Sequence, residues 1–550
     1  MRYTENFIKI YEQALKDNYN LSALSDYGTD VSFTYKELAV EIEKIHFLFE
    51  ENRIRQGDKI ALVGKNSAYW GAVFMATVTY GAVIVPILND FNPKDIQHII
   101  NHSDAVLLFA SDSNLSELVE SQMPALRMIY SFSGKQVSNQ KEGDNLMIRL
   151  TNLFNEKYPK GFDKEMICYK DIPNENLMVL NYTSGTTGFS KGVLITGNNL
   201  TGNIIYAQET LPLVRGNNLL SLLPLAHAYG CAFEFLFPIS EGCHITLLGK
   251  TPSPKILMKA FEAVKPDLII SVPLILEKIY KNMILPTINK PIMKILFKIP
   301  GVSSKIYAKI NKNLVNAFGG KFKQVVIGGA PLNSEVEQFF LKINFPVSVG
   351  YGMTECAPLV SFAPDNEYVP LSAGKILPNM EVQIDSQNPY NVAGEILIKG
   401  QNVMRGYYKN EEATKLAFTE EGWLRTGDLG TIDKENNIFI RGRSKSMILS
   451  SSGQNIYPEE IEAKLNNLPY IVESLVISNN KRLIALVYPD YDAAKAASVS
   501  EEDLKNIMRK NKETINGMVA TYEKIAEIKL CENEFEKTPK KSIKRYLYTE

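Results

Sequence analysis

Over residues 32–111 the chain alternates helical stretches with short apolar, β-branched runs. The runs at 59–63 (KIALV) and 105–109 (AVLLF) have the length and composition of strands buried on both faces. Thr34, with Glu37 three residues on, is placed to cap a helix start. The alternation returns from Leu177, with strand-like runs near Val179, Leu222, Ile269, Val326 and Val349. Helices and strands in this order predict an α/β fold built on mostly parallel sheets. No internal repeat or low-complexity segment interrupts it.

Residues 68–88 (AYWGAVFMATVTYGAVIVPIL) carry no charge over roughly the length of a membrane span. The local signals favour a buried helix running into a buried strand. Gly81 stands where a helix C-cap belongs, Val83, Ile84 and Val85 are β-branched, and Pro86 is expected to close the strand.

At 550 residues the chain is too long for one compact unit at about 150 residues per domain. The texture changes after about Ala373 to short alternating strands such as 380–384 and 395–398, predicting a small β-rich lobe. Beyond Arg443 the pattern is that of a smaller α/β unit of roughly a hundred residues. The expectation is a large N-terminal domain over 1–444 and a mobile C-terminal domain over 445–550. With 45% hydrophobic and 22% charged residues, disordered, collagen-like and disulfide-scaffold classes are excluded. A net charge of -1 argues against a dedicated nucleic-acid binder. Five scattered cysteines form no CxxC pair and suit a reducing compartment. The first twenty residues, with charges spread throughout, do not read as a secretory leader, so a cytoplasmic location is expected.

The densest chemical signal is at 181–193 (NYTSGTTGFSKGV), where an apolar strand runs into a loop of Thr, Ser and Gly with one lysine. Such a loop presents backbone N–H groups and hydroxyls to an anion, since glycine lets the backbone approach without a Cβ clash. It is not a Walker A loop, because Gly188 and Lys191 are separated and no Ser or Thr follows the lysine. A second motif, GYGMTE at 350–355, follows the strand-like run 347–349. It puts a ring, a hydroxyl and a carboxylate at a strand's C-terminal edge, where α/β proteins hold ligands.

The segment YTSGTTGFSKG resembles the AMP-binding signature of the adenylate-forming enzymes, the superfamily of acyl-CoA synthetases, peptide-synthetase adenylation domains and firefly luciferase. Further motifs follow in that family's order along nearly the whole chain, and together they most resemble long-chain fatty-acid–CoA ligases. The resemblance implies that Thr183, Ser184, Gly185, Thr186, Thr187, Gly188 and Lys191 hold the phosphates of ATP. It implies that Tyr351 stacks on adenine beside Gly352, that Thr354 bonds the α-phosphate, and that Glu355 holds Mg2+ with Thr183 as a second oxygen. In WLRTGD, Asp428 would take the ribose diol, with Arg443 as a further ribose or phosphate contact. Gly328, Gly329 and Ala330 resemble the turn between adenine and the acyl pocket, and His227 in LPLAHAYG would line the acyl site as a positioning residue. Lys445 falls at the family's hinge, and Gly453 lies in the loop lining the pantetheine tunnel. Lys544 in TPKKSIKR takes the place of the adenylation lysine, although Ile543 precedes it where many relatives have glycine.

The implied reaction joins a carboxylic acid to CoA through an acyl-adenylate, with Mg2+, ATP and CoA as cofactor and co-substrates. Lys544 and Lys191 would neutralise the repulsion between two anions, and rotation about Lys445 would then admit the thiol. No cysteine is required as a nucleophile. An acyl-carrier protein could replace CoA, since both present the same pantetheine arm. A catalytically silent nucleotide- or acyl-binding protein on the same fold is the reading from another class. Amino-acid-activating relatives hold an ammonium with an aspartate near the position of His227, where 225–228 (LAHA) has no carboxylate. Burying an ammonium without a partner would cost several kcal/mol, so the acid is expected to have a neutral, fatty tail. Glu234 stands out as an unexplained charge in FEFLFP. Lastly, in 276–315, lysines 278, 281, 290, 294, 298, 305, 309 and 312 face only Glu277, interleaved with apolar residues. A basic amphipathic pattern of this kind fits peripheral contact with a membrane surface.

Overall fold

A computed structural model describes residues 2–133, 146–183, 191–250, 252–299, 301–449, 454–479, 482–538 and 543–548. Two large sheets form the N-terminal part. In the first, strands run in the order Met128–Ser131, Ala105–Ala110, Lys59–Val63, Val83–Ile87, Leu177–Thr183, Lys191–Thr196. All pair in parallel except the last two, which form an antiparallel hairpin. The second has the order Val347–Val349, Gln324–Ile327, Leu268–Ser271, Asn218–Ser221, His244–Leu247, Ser22–Asp26, Ser32–Thr34, parallel up to its final antiparallel edge.

The helical half of the uncharged stretch lies between these sheets, and the rest of it is the strand Val83–Ile87. Helix Ala68–Tyr80 touches Ser22–Asp26 of one sheet and Lys59–Val63 and Val83–Ile87 of the other, so apolar residues are needed on every side of it. Gly71 makes the approach tight: a Cβ there would lie 2.9 Å from Leu24 and 3.0 Å from Phe235. Gly81 ends the helix in the left-handed conformation at φ +90. Among the described residues no helix is long and apolar enough to cross a membrane. The neighbouring helix Tyr35–Glu51 starts on the expected reciprocal cap between Thr34 and Glu37.

One local expectation needs correction. Pro86 does not close its strand but lies within it, paired in register with Leu62. Pairing on the other side of that strand reduces to Ile84 with Val179, and a proline without an amide donor is tolerated in so short a ladder. The strand expected near Leu222 is Asn218–Ser221, and it ends there because the Leu222 and Leu223 amides are taken by the Glu234 carboxylate.

The β-rich lobe is a four-stranded antiparallel sheet of Met380–Asp385, Gly394–Gly400, Leu424–Ile432 and Ile438–Arg443. The C-terminal part has its own three-stranded sheet, Ile471–Asn479, Arg482–Pro489 and Ile525–Leu530, covered by helices Pro458–Leu465 and Glu501–Met518. Ile461, Leu465, Val476, Val487, Met508 and Ile515 form a separate core there. It touches the larger part through Lys281, which donates to the Ile471 carbonyl at 2.5 Å, and Asn333, which donates to the Ala463 carbonyl at 2.7 Å.

Candidate active site

The two strands of the antiparallel pair at the edge of the first sheet flank the phosphate-loop motif in sequence. Thr183 at the end of one strand pairs with Lys191 at the start of the next, while Ser184, Gly185, Thr186, Thr187 and Gly188 lie outside the described residues. Gly192 follows, where a Cβ would meet the Tyr182 ring at 3.1 Å. The Lys191 ammonium sits 4.9 Å over the Tyr407 ring, within cation–π range. The Tyr407 hydroxyl in turn donates to Glu355 Oε1 at 2.9 Å. Burial and the Glu355 charge push the Tyr407 phenol well above its ordinary pKa, so it remains a neutral donor. Lysine and carboxylate, far apart in sequence, are thus joined through one tyrosine that motif reading did not single out.

The second group grows from strand Val347–Val349. Gly352 can only be glycine, since a Cβ would lie 2.2 Å from the Pro358 carbonyl. Tyr351 donates its hydroxyl to Asp428 Oδ2 at 2.7 Å, and Arg443 Nε lies 3.0 Å from Asp428 Oδ1. Asp428 and Arg443 are direct partners across neighbouring strands, so this ion pair is set by register. Asp428 is only 4% exposed. Burial pushes its carboxyl pKa up, the Arg443 charge and the Tyr351 hydroxyl oppose this, and Glu355 is near enough to raise it further. The two groups are therefore neighbours. Both Asp428 oxygens are engaged by protein in this state, and the side chain of Arg443 reaches solvent. Thr354 is buried in the short turn beside Glu355.

The expected acyl side lies at the ends of the second sheet's strands. Gly328 follows strand Gln324–Ile327, and the Tyr229 ring packs against it so closely that a Cβ would come within 2.9 Å. Gly329 adopts φ +85, which glycine accommodates, and Ala330 is exposed. The Tyr229 hydroxyl donates to the Val326 carbonyl at 3.2 Å. His227 is half-buried, and its Nδ1 accepts from the Tyr229 amide at 3.3 Å. Next to it is a narrow crevice lined by Val179, Asn181, Cys231, Ala232, Leu236 and Ala357.

Glu234 loses its anomaly here. It is fully buried, and it accepts from the Leu222 amide at 3.1 Å, the Leu223 amide at 2.8 Å and the Ser221 hydroxyl at 3.0 Å. Burial raises its pKa to about 8, against the lowering effect of those three donors. The side chain ties the start of the His227–Tyr229 loop to the strand before it, a link between distant backbone groups with no local sequence signature.

Lys445 is exposed in the turn after Arg443, and Gly453 lies outside the described residues. Lys544 is not gathered with the other groups: its ammonium pairs with Glu536 at 3.4 Å within the C-terminal part. Its neighbour Arg545 bridges Glu462 and, at 3.6 Å, Glu459. The Glu459 charge in turn is near enough to raise the Asp428 pKa.

A lysine on the hairpin that flanks the loop motif, a carboxylate linked to it through Tyr407, and a tyrosine and an arginine closing on the buried Asp428 define an α/β enzyme of the nucleotide-binding kind. Residues 11–408 match the AMP-binding enzyme family, and 445–550 match the AMP-binding enzyme C-terminal domain. The chain belongs to this adenylate-forming family and within it most resembles the long-chain fatty-acid–CoA ligases. A long-chain-fatty-acid–CoA ligase of Mycobacterium bovis is 29% identical over 82% of this chain and 77% of its own length. The peroxisomal long chain acyl-CoA synthetase 7 of Arabidopsis thaliana is 27% identical over 90% of this chain and 74% of its own. Among solved structures, the anthranilate CoA ligase AuaEII in complex with anthranoyl-AMP superposes with a TM-score of 0.78, covering 100% of this chain and 97% of that one at 19% identity.

Proposed function

We propose that the chain is an AMP-forming acid–CoA ligase whose acid is a long-chain fatty acid, acting in the cytoplasm. The observation that carries the choice of acid is Glu234. It is the only carboxylate in the apolar 222–237 stretch, and it is fully committed to Ser221, Leu222 and Leu223. No anion is left in that stretch to hold an amino acid's ammonium, and leaving the ammonium unpaired in an apolar site would be costly. The relatives named as long-chain ligases support the same substrate class.

In this reading the acid's carboxylate oxygen attacks the α-phosphorus of ATP, the bond to pyrophosphate breaks, and an acyl-adenylate forms. Lys191 and Lys544 hold positive charge against the oxygens on which negative charge grows. Asp428 and Arg443 hold the ribose end, and Tyr351 lies against the base. The thiol of CoA then attacks the acyl carbonyl, loses its proton to solvent, and AMP leaves. Glu355 suits a hard cation: Tyr407 occupies Oε1, no described residue bonds the other oxygen, and the Thr183 hydroxyl is a second oxygen on the neighbouring hairpin. Mg2+ bound there would offset the phosphates' negative charge. The 445–550 domain would turn about Lys445 between the two steps, a motion compatible with the few polar contacts that tie it to the rest.

Purified protein with Mg2+, ATP, CoA and a panel of fatty, aryl and amino acids tests this, with mass spectrometry reading AMP and thioester together. Fatty-acyl-CoA of long chain is the expected product. An aryl- or aminoacyl-CoA in its place would overturn the choice of acid. AMP release without a CoA thioester would favour a carrier-protein acceptor. No AMP with any acid would return the case to a silent binding protein.

A further inference from the structure

Between Lys278 and Ser334 the chain has ten lysines and no Asp or Glu, although its net charge is only -1. Part of this basic stretch is already occupied. Lys281 is turned to the C-terminal part and Lys321 pairs with Asp267, while Glu277 accepts from the Asn333 amide and among the described residues pairs with no lysine. What remains is a compact outer face. Helix Pro291–Leu296 and the turn after it put Ile292, Ile295 and Ile299 at spacings of three and four, on one side. They are 67%, 63% and 43% exposed. Their exposure does not come from a loosely held segment: Phe297, on the other side, stacks on Tyr307 at 5.1 Å, and Tyr307 packs on Phe339 in the apolar cluster beside the second large sheet. Lys290 and Lys298 flank the isoleucines, and Lys305 and Lys309 form an exposed stripe on the next helix, Val302–Ala317. Among the described residues none of these four lysines is in an ion pair.

We propose that this face docks on an anionic lipid bilayer, the isoleucines entering the interface and the lysines meeting lipid phosphates. A cluster of apolar side chains on a protein surface marks an interaction site. Lysines around aliphatic residues fit an anionic bilayer surface, where apolar burial and charge attraction act together. The assignment rests on the fatty-acid reading for its use, since such acids partition into bilayers, but binding is measurable without turnover.

The full chain is sedimented with vesicles of phosphatidylcholine alone and of phosphatidylcholine with a third phosphatidylglycerol. Binding is expected to the anionic vesicles, to weaken at high salt, and to be far weaker on the neutral ones. Ile292→Glu with Ile295→Glu, at exposed positions, is expected to lower the partition at least about tenfold, and Lys298→Glu with Lys305→Glu to act similarly. Ligase turnover on a short, water-soluble acid should stay at the wild-type level in both variants. Absence of binding to anionic vesicles, or equal binding by the variants, overturns the proposal. So does a dimer in sedimentation velocity that the isoleucine variant dissolves while wild type ignores vesicles, which would make a second copy the occupant. Vesicle binding without any thioester formation would instead leave the surface standing and remove the fatty-acid ligase.

Discussion

Asp428 is 4% exposed and clasped by Tyr351 and Arg443, whereas the Lys544 side chain is 31% exposed and rests on Glu536. The groups proposed to face the nucleotide are fixed by sheet register and burial, and an exposed ion pair such as Lys544–Glu536 is worth only about 0–1 kcal/mol. A group that must serve one chemical step and leave before the next is better held weakly. Groups that keep the nucleotide through both steps are better built into the sheets.

The largest effect should come from the weakly held side. Lys544→Ala is predicted to slow acyl-adenylate formation about a hundredfold or more, the scale for losing one charge-stabilising donor. Thioester formation from supplied acyl-adenylate should change little. Equal loss in both half-reactions, or none in the first, would assign the adenylation role elsewhere. On the fixed side, Asp428→Ala removes an acceptor bonded by two partners. A charged hydrogen bond of about 1.5–3 kcal/mol predicts a KM for ATP raised roughly ten- to hundredfold. Steady-state kinetics that show an unchanged KM and a lowered kcat would contradict a binding role.

Tyr407→Phe keeps the ring under Lys191 and removes the bond to Glu355, so about 1 kcal/mol is at stake. The expected result is a several-fold higher Mg2+ requirement, read from metal titration of turnover; Tyr407→Leu should cost more because the cation–π contact goes as well. The last prediction concerns stability and pH, not activity. Glu234 is raised from 4.5 to about 8 in the fold, so the folded state binds more protons than the unfolded chain between those values. Its stabilisation is complete below the unfolded value and is lost as pH rises through about 8. The deficit in Tm of Glu234→Gln relative to wild type should therefore shrink between pH 6 and pH 9. A deficit constant over that range would mean that Glu234 is ionised throughout.

Much of this was legible locally. The Thr34–Glu37 cap, the Gly81 terminus and the strand at Lys59–Val63 each lie within a few residues, and local physics sets them. The uncharged 68–88 stretch could be read as a buried helix and strand, but not that its helix packs between two sheets. What stayed hidden depends on distant partners. Tyr407 acquires its place from Lys191 and Glu355, Glu234 from two amides that end a strand early, and Lys281 from a carbonyl in the other domain. No periodicity or spacing records such meetings, because each is decided only when the sheets and domains come together.

The most direct test of an acyl-adenylate route is palmitate-dependent exchange of labelled pyrophosphate into ATP by the purified chain with Mg2+ and no CoA, followed by a CoA chase. The account predicts exchange that requires the fatty acid, then stoichiometric palmitoyl-CoA and AMP on the chase. Nucleotide binding without acid-dependent exchange, under conditions where the protein is folded, would contradict it.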